Sequence, residues 1–414
     1  MKIQRTMPPA ANPVSLLDLL RGLHGIFFKA RHIKQAEEQI KNGLETRHVF
    51  LVSSGKAALT LILIAMKRLK PGKRRVIIPA YTCFSVPSAI IKAGLEVVPC
   101  DIDPLTLDFD LDRLLDALYG SDDTLCVIQT HLFGAPSDIA AVKKICAGKD
   151  VFIVEDAAQA MGTVFNGAWA GTVGDAGFFS FGRGKNISCG SGGAVVTNSD
   201  ELSAELGALY AVLPSPGVKE TIKDYLTVLA TGILLNPWLY WLPSSIKSLK
   251  LGQTIFYRDF PVKKLSGMKA ALLGRLTAKL SEQNAARRQN ADFFIKELGL
   301  DNRSGLSYIR LPIMAESLAQ RNALYHASNG LGLGLSLMYP TPVNGIEELA
   351  GYFNFKGTSF PAALAVSQRL IAIPTHSLVA RKDSIHIIAL FKEIEAGRLQ
   401  QQGEPYGNEA HHHH

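Results

Sequence analysis

Between His48 and Asn198, short apolar runs alternate with stretches of helical spacing, and this alternation is the tightest constraint on the fold. The runs His48–Val52, Arg75–Ala80, Glu96–Asp101, Thr124–Thr130, Val151–Asp156 and Gly193–Asn198 read as buried strands. Helices are predicted from Gly55 to about Lys70, then over Ser88–Ala93, Asp110–Tyr119 and Ser137–Ala147. Such alternation predicts an α/β fold with a mostly parallel sheet, which binds ligands beyond the C-terminal ends of its strands. Gly55, Cys83, His131, Asp156 and Ser180 each follow a predicted strand, so the pattern alone points to one shared site. No GxGxxG follows the first strand, which sets aside a dinucleotide fold.

Two runs in the middle of the chain carry the chemistry. VFIVEDAAQAMG (Val151–Gly162) is a strand ending in Glu155 and Asp156. GDAGFFSFGRGKNISCGSGG (Gly174–Gly193) leads through Phe179, Ser180 and Phe181 to an isolated lysine, Lys185, among Gly182, Gly184 and Gly190. A lysine becomes a nucleophile only where a dry setting removes its proton, and glycines let other groups approach its backbone closely. Taken singly, Asp156 is an ordinary strand-end carboxylate and Lys185 a solvated loop lysine. Taken together, they read as one site.

The two runs resemble the DegT/DnrJ/EryC1/StrS family of pyridoxal 5'-phosphate (PLP) enzymes, mostly sugar aminotransferases. The matching residues are Glu155-Asp156-Ala157-Ala158-Gln159-Ala160, Gly174-Asp175, Ser180-Phe181 and Lys185-Asn186, and the likeness extends from about Val52 to Val379. It implies the PLP-dependent transferase fold type I (aspartate-aminotransferase-like), with a mostly parallel seven-stranded sheet and a smaller C-terminal α+β domain. It also implies that Lys185 forms the Schiff base and shuttles the proton, and that Asp156 pairs with the pyridine nitrogen. Gln159 would lie near the ring's phenolic oxygen. Ser180 and the amides of Gly55, Lys56 and Ala57 would take the phosphate.

The departures from the family pattern leave alternatives open. Cys83 stands where the family places an aromatic over the ring, with Phe84 one residue later as the other candidate. Lys56 replaces the usual threonine and either adds charge to the phosphate contact or points to solvent. Val262 replaces an asparagine that reaches the neighbouring subunit's phosphate; Lys263 or Lys264 takes over that contact, or it is absent. Phe84 and His376, the latter in LIAIPTHS, are candidate substrate contacts, a loop histidine being the other reading of His376. Met161 and Ser191 also depart from the family and leave substrate recognition open.

The 414 residues suggest an N-terminal arm (1–45), a large PLP-binding domain (46–250), a small domain (251–407) and a tail (408–414) ending in a tag remnant, His411–His414. Residues 1–13 are Pro-rich and predicted to be loose, and Ser15–Gly43 is predicted to form one helix. The helix is read as an arm on a partner subunit or as a membrane-surface helix. Basic residues of the Ala286-Arg287-Arg288 stretch read as mostly a solvated face, and Ser307–Pro312 and Leu335–Tyr339 as strands. The net charge of +8 suits anionic ligands or acidic lipids, and no basic run with interleaved aromatics suggests nucleic acid. Five cysteines lack CxxC or Cys/His ligand spacing, which fits a reducing compartment and no metal site. With no signal-peptide pattern, a cytoplasmic protein is expected, or one peripheral at the inner face of the membrane.

From Tyr225 to Ile246 there is no charged residue, a stretch that Asn236, Pro237 and Pro243 interrupt. It reads as a subunit interface or core, or as a surface that meets a bilayer or a lipid-linked substrate. The resemblance implies a homodimer that moves an amino group from an amino acid, glutamate first among them, to a keto group of a nucleotide-linked sugar. Two other readings stand beside it: a lipid-linked or amphipathic carbonyl substrate, and a non-catalytic PLP-binding regulator. Family dehydratases tend to lack the lysine that is present here as Lys185.

Overall fold

The computed structural model describes residues 4–249, 254–350 and 358–397; the tail 408–414 and the boundary expected at 250–251 lie outside the described residues. The central sheet is built from β1 (His48–Val52), β2 (Arg75–Pro79), β3 (Glu96–Cys100), β4 (Thr124–Thr130) and β5 (Phe152–Asp156). After a small hairpin of β6 (Val164–Phe165) and β7 (Ala168–Trp169), it adds β8 (Ala176–Ser180) and β9 (Gly193–Thr197). The order is β1-β9-β8-β5-β4-β2-β3. Only β9 runs against its neighbours. This is a fold type I sheet, seven-stranded and mostly parallel. β4 is buried at every position, because a central parallel strand covered on both faces must be apolar throughout.

Local chemistry starts the helices. Ser54, Asp110, Asp138 and Ser199 each precede a helix and accept a first-turn amide that would otherwise lack a partner. The C-terminal part packs helices Leu276–Leu298, Leu318–Leu331, Pro361–Arg369 and Arg381–Glu395 with an antiparallel pair, β10 (Arg310–Met314) and β11 (Leu370–Pro374). One apolar core runs from Ile62, Leu63 and Ile128 beside the sheet to Leu311, Ile373 and Ile387 here, so the two parts share it. Asp101 accepts from the amides of Ala362 (3.1 Å) and Ala363 (2.9 Å), capping a helix that is remote in sequence.

Several expectations are corrected. The predicted Ser15–Gly43 helix is two helices, Leu16–Phe27 and Lys29–Leu44, broken at Phe28 (φ −109°, ψ 51°). The break lets the second helix bury Ala36, Ile40 and Leu44 while the first lays Gly25 directly on the backbone of Gly267. Residues 4–13 are tied down, not loose. The amides of Thr6 and Met7 donate to Pro237 and Gly332 carbonyls, both at 2.8 Å, Arg5 pairs with Asp383, and Met7 and Ala11 are buried. Leu335–Tyr339 forms no strand: one bridge pairs Ser336 with Ala372, between Gly334 in the left-handed region (φ +79°) and Pro340, which lacks an amide donor. The first predicted C-terminal strand starts later, at Arg310.

The uncharged Tyr225–Ile246 stretch completes helix Val218–Leu234 and ends in turns and a single helical turn, Trp241–Ser244. Among the described residues no helix is long and apolar enough to cross a membrane. Leu226 and Trp238 are 56% and 68% exposed, so the stretch is a surface and not a core.

Candidate active site

Adjacent residues of a strand point to opposite faces, so β5 sends Glu155 and Asp156 to different tasks. Glu155 is fully buried and holds a loop. Its Oε2 accepts from Gly171 N–H (2.9 Å) and lies 2.8 Å from His131 Nε2, while Oε1 accepts from Val173 (2.6 Å) and Gly174 (2.7 Å). Burial works to raise its pKa, but His131 and these amides hold the carboxyl below the usual carboxylate range. His131 is buried and its Nδ1 meets Ser137 Oγ at 2.8 Å, so its role is to hold the strand ends together.

Asp156 lies on the other side with Lys185. Burial raises the Asp156 carboxyl, and the charge of Lys185 opposes that rise. Burial also lowers the Lys185 ammonium, with Cys83 and Asp156 pulling the other way. Asp156 accepts Ala158 N–H at 3.1 Å. Gln159 Oε1 accepts from Phe133 N–H (3.0 Å), and its Nε2 donates to the Tyr339 hydroxyl (2.9 Å). Phe133 takes a positive φ of 59°, a conformation costly for a bulky residue and frequent at functional sites.

The helix Gly55–Leu69 points its N-terminus at Ser180. A Cβ on Gly55 would stand 3.0 Å from Ser180 Cβ and fill the gap between them. The Ala57 amide donates to Ser54 Oγ at 3.1 Å, the cap of this helix. The amides of Gly55 and Lys56 have no acceptor among the described residues. The Lys56 side chain is partly exposed, with its Nζ over the rings of Tyr257 (4.9 Å) and Phe260 (4.7 Å). Cys83 keeps the position beside Lys185. Phe84, a candidate substrate contact, is instead a core residue, 6% exposed at the start of helix Ser85–Lys92. Lys263 pairs with Glu220 at 2.8 Å and Lys264 donates to Ala211 O at 3.1 Å, so both lysines have partners within the chain.

Residues that the sequence reading missed hold Lys185 from behind. Arg287, 1% exposed, donates to the carbonyls of Lys185 (3.0 Å) and Asn186 (2.9 Å) and to Asn12 Oδ1 (3.0 Å). Asn12 in turn donates to Lys185 O at 2.8 Å, and Asn284 joins Asn186 to the Met161 carbonyl. Burial pulls the Arg287 guanidinium down to about 10. Arg288 is exposed, so of the two adjacent arginines only the second lies on a solvated face. A signal was present: Asn284, Arg287, Ala291 and Phe294 recur at helical spacing along the buried side of Leu276–Leu298.

His376 is 1% exposed, and its Nε2 donates to Pro8 O at 2.8 Å. Residues 4–13 therefore cover it, and it does not present itself to a substrate as expected. Burial, aided by Arg287 and Arg310, pushes its pKa down to about 4 from 6.5. Because the folded value is the lower one, the unfolded chain binds the extra proton. The contribution to stability is complete above about pH 6.5 and is lost as pH falls toward 4. A His376→Gln variant is expected to show a flatter dependence of Tm on pH across that window, measured by thermal denaturation.

Arg310 lies near Lys185, and its charge adds to the fall in the lysine's pKa. A Cβ on Gly184, which sits at φ +77°, would meet Ala10 Cβ at 2.8 Å and Arg310 Nη2 at 3.5 Å. Arg310 Nη1 donates to Met338 Sδ at 3.0 Å, its Nε has no partner, and no carboxylate pairs with it among the described residues.

The model of the DegT/DnrJ/EryC1/StrS aminotransferase family matches residues 23–392. The chain is 35% identical over 181 residues to a GDP-4-keto-6-deoxy-D-mannose 3-dehydratase of Yersinia pseudotuberculosis, covering 43% of this chain and 46% of that protein. It is 31% identical over 179 residues to a GDP-perosamine synthase of Caulobacter vibrioides, covering 43% of this chain and 47% of that one. The matches thus span about half the length of these relatives. Among solved structures, an E. coli GDP-4-keto-6-deoxy-D-mannose-3-dehydratase with bound hydrated PLP superposes with a TM-score of 0.75 at 21% identity, over 94% of this chain and 100% of that one.

Proposed function

The chain belongs to the DegT/DnrJ/EryC1/StrS aminotransferase family, and on that premise we propose that it is a PLP-dependent aminotransferase acting on a keto sugar joined to a phosphate-linked carrier. Nucleotide-linked sugars, named as the substrate of one relative and the product of another, are the first acceptors to try. The observation that carries the reading is buried Asp156 facing partly buried Lys185 beside a helix N-terminus with unengaged amides.

The residues fit the cofactor. Gly55, lacking a side chain, lets Ser180 stand against the helix N-terminus whose free amides suit a phosphate, and a buried carboxylate such as Asp156 suits a cation such as a protonated pyridine nitrogen. When bound, PLP supplies an electron sink for negative charge at the substrate carbon. The amides of Gly55 and Lys56 and the Ser180 hydroxyl would hold the phosphate. Asp156 would pair with the ring nitrogen, and Gln159, held by Phe133 and Tyr339, would lie by the ring's oxygen edge. Lys185 Nζ, whose pKa burial lowers, would take and return the proton at the reacting carbon. Cys83 lies beside it where the family has an aromatic, and the covering residues 8–12 limit water on one side. The presence of Lys185 supports amino transfer over dehydration. Exposed Leu16, Leu20 and Phe27 on the first helix support a homodimer that covers them.

The test is an absorbance titration of the PLP-loaded protein with glutamate, followed by a nucleotide-linked 4-keto sugar. Glutamate is expected to convert the bound cofactor to its amine form, and the sugar to restore it. A spectrum that ignores every amino acid tried would remove the aminotransferase reading and favour a binding or regulatory role.

A further inference from the structure

A cavity of about 950 Å³ opens beside Gly184, next to the candidate active site. Its long wall is one face of helix Val218–Leu234, where Ile222, Leu226, Ala230 and Leu234 recur every three or four residues. Pro243, Leu249 and Ile255 also line it. Thr227 and Thr231 face the cavity too, but their hydroxyls donate within the helix to Lys223 O (2.8 Å) and Thr227 O (2.7 Å). Both threonine hydroxyls are thus engaged within the helix, and the middle of this wall is apolar.

Charge is sorted across the same helix. Glu220 and Asp224 turn to the body of the protein, where they pair with Lys263 (2.8 Å) and Lys269 (2.6 Å). Lys219 and Lys223 turn to the cavity, joined by Arg183 and Arg310, and none of these four cations has an acidic partner among the described residues. Unpaired cations around an apolar space are complementary to an anion that carries an apolar chain.

We propose that this cavity binds the carrier of the acceptor substrate, and that the carrier is a phosphate or diphosphate ester of a long apolar chain. Arg183 and Arg310 receive the phosphate beside Lys185, and the chain lies along Ile222, Leu226, Ala230 and Leu234. The inference rests on the aminotransfer reading for the chemistry and specifies the carrier that reading leaves general.

The experiment is calorimetric titration of the PLP-loaded protein with farnesyl diphosphate, inorganic diphosphate and GDP, for the wild type and Leu226→Glu. Farnesyl diphosphate is expected to bind about 10-fold or more tighter than either comparison ligand, since each buried methylene favours binding severalfold. Leu226 is 56% exposed, so its replacement leaves the fold intact. The variant is expected to lose that preference while keeping glutamate half-transamination and the sedimentation coefficient of the wild type. GDP binding as tightly as farnesyl diphosphate would overturn the proposal, as would a preference that survives in Leu226→Glu. A Leu226→Glu variant that changes oligomeric state would assign the cavity to a second copy of this chain and also overturn it. A wild type that shows the preference yet no half-transamination would uphold the cavity and remove the aminotransfer reading.

Discussion

Lys185→Ala is expected to abolish half-transamination, slowing it by about 10⁴-fold or more, because one amine serves as both nucleophile and proton carrier. The check is the rate at which glutamate alters the cofactor's absorbance, followed by stopped flow for wild type and variant. Cofactor binding is expected to survive in part, since the Gly55 and Lys56 amides and Ser180 are untouched. Retention of the bound cofactor with loss of the reaction separates a catalytic lysine from a merely structural one. A variant that still reacts with glutamate at a near-normal rate would sink the role assigned to Lys185. Burial lowers the pKa of Lys185, which suits an amine that must act unprotonated.

The second large effect is expected at Arg287, a residue that touches neither substrate nor reacting atoms. Its guanidinium holds the carbonyls of Lys185 (3.0 Å) and Asn186 (2.9 Å) and the side chain of Asn12 (3.0 Å) in a setting that is 1% exposed. Arg287→Met removes the donor to Asn186 O and Asn12 Oδ1 and leaves Lys185 O to Asn12 alone, and is expected to destabilise the protein by about 3 kcal/mol. Chemical denaturation reads that loss. With one of the two donors to Lys185 O removed, the half-reaction is expected to slow by about 10² while the KM for glutamate changes little, since small misplacements act on the chemical step. Arg287→Lys is expected to rescue poorly, because a single ammonium cannot reproduce the planar fork that spans two carbonyls. A variant of normal stability and normal rate would show that the clamp is dispensable.

The limits of the sequence are visible at particular residues. Glu155 and Asp156 look alike in the chain, and strand alternation already implies that they face opposite ways. Only the fold shows that Glu155 gathers Gly171, Val173 and Gly174 while Asp156 meets Lys185. Cys83 and Phe84 could not be ranked from sequence, because a one-residue shift at a strand end reverses which side chain enters a site. The structure puts Phe84 in the core. The lysines at 263 and 264, open to a phosphate on paper, have neighbours on other elements. Likewise the charge sorting on helix Val218–Leu234 appears only once the body of the protein is placed on one of its sides.

By itself the sequence determined the alternating α/β order, the seven-stranded sheet through its family likeness, and the membership of Asp156 and Lys185 in one site. Those features follow from periods of about 2 and 3.6 residues and from a contiguous motif, all of them local. The tertiary structure alone decided that residues 4–13 strap the site, that His376 is covered, and that Arg287 and Asn12 grip Lys185. Asn12 and Arg287 lie 275 positions apart, and Asn12 and Lys185 lie 173 apart. Contacts of that span leave no periodic trace in the chain. They form because burying polar backbone beside a dry lysine requires donors, and folding brings those donors from wherever they lie.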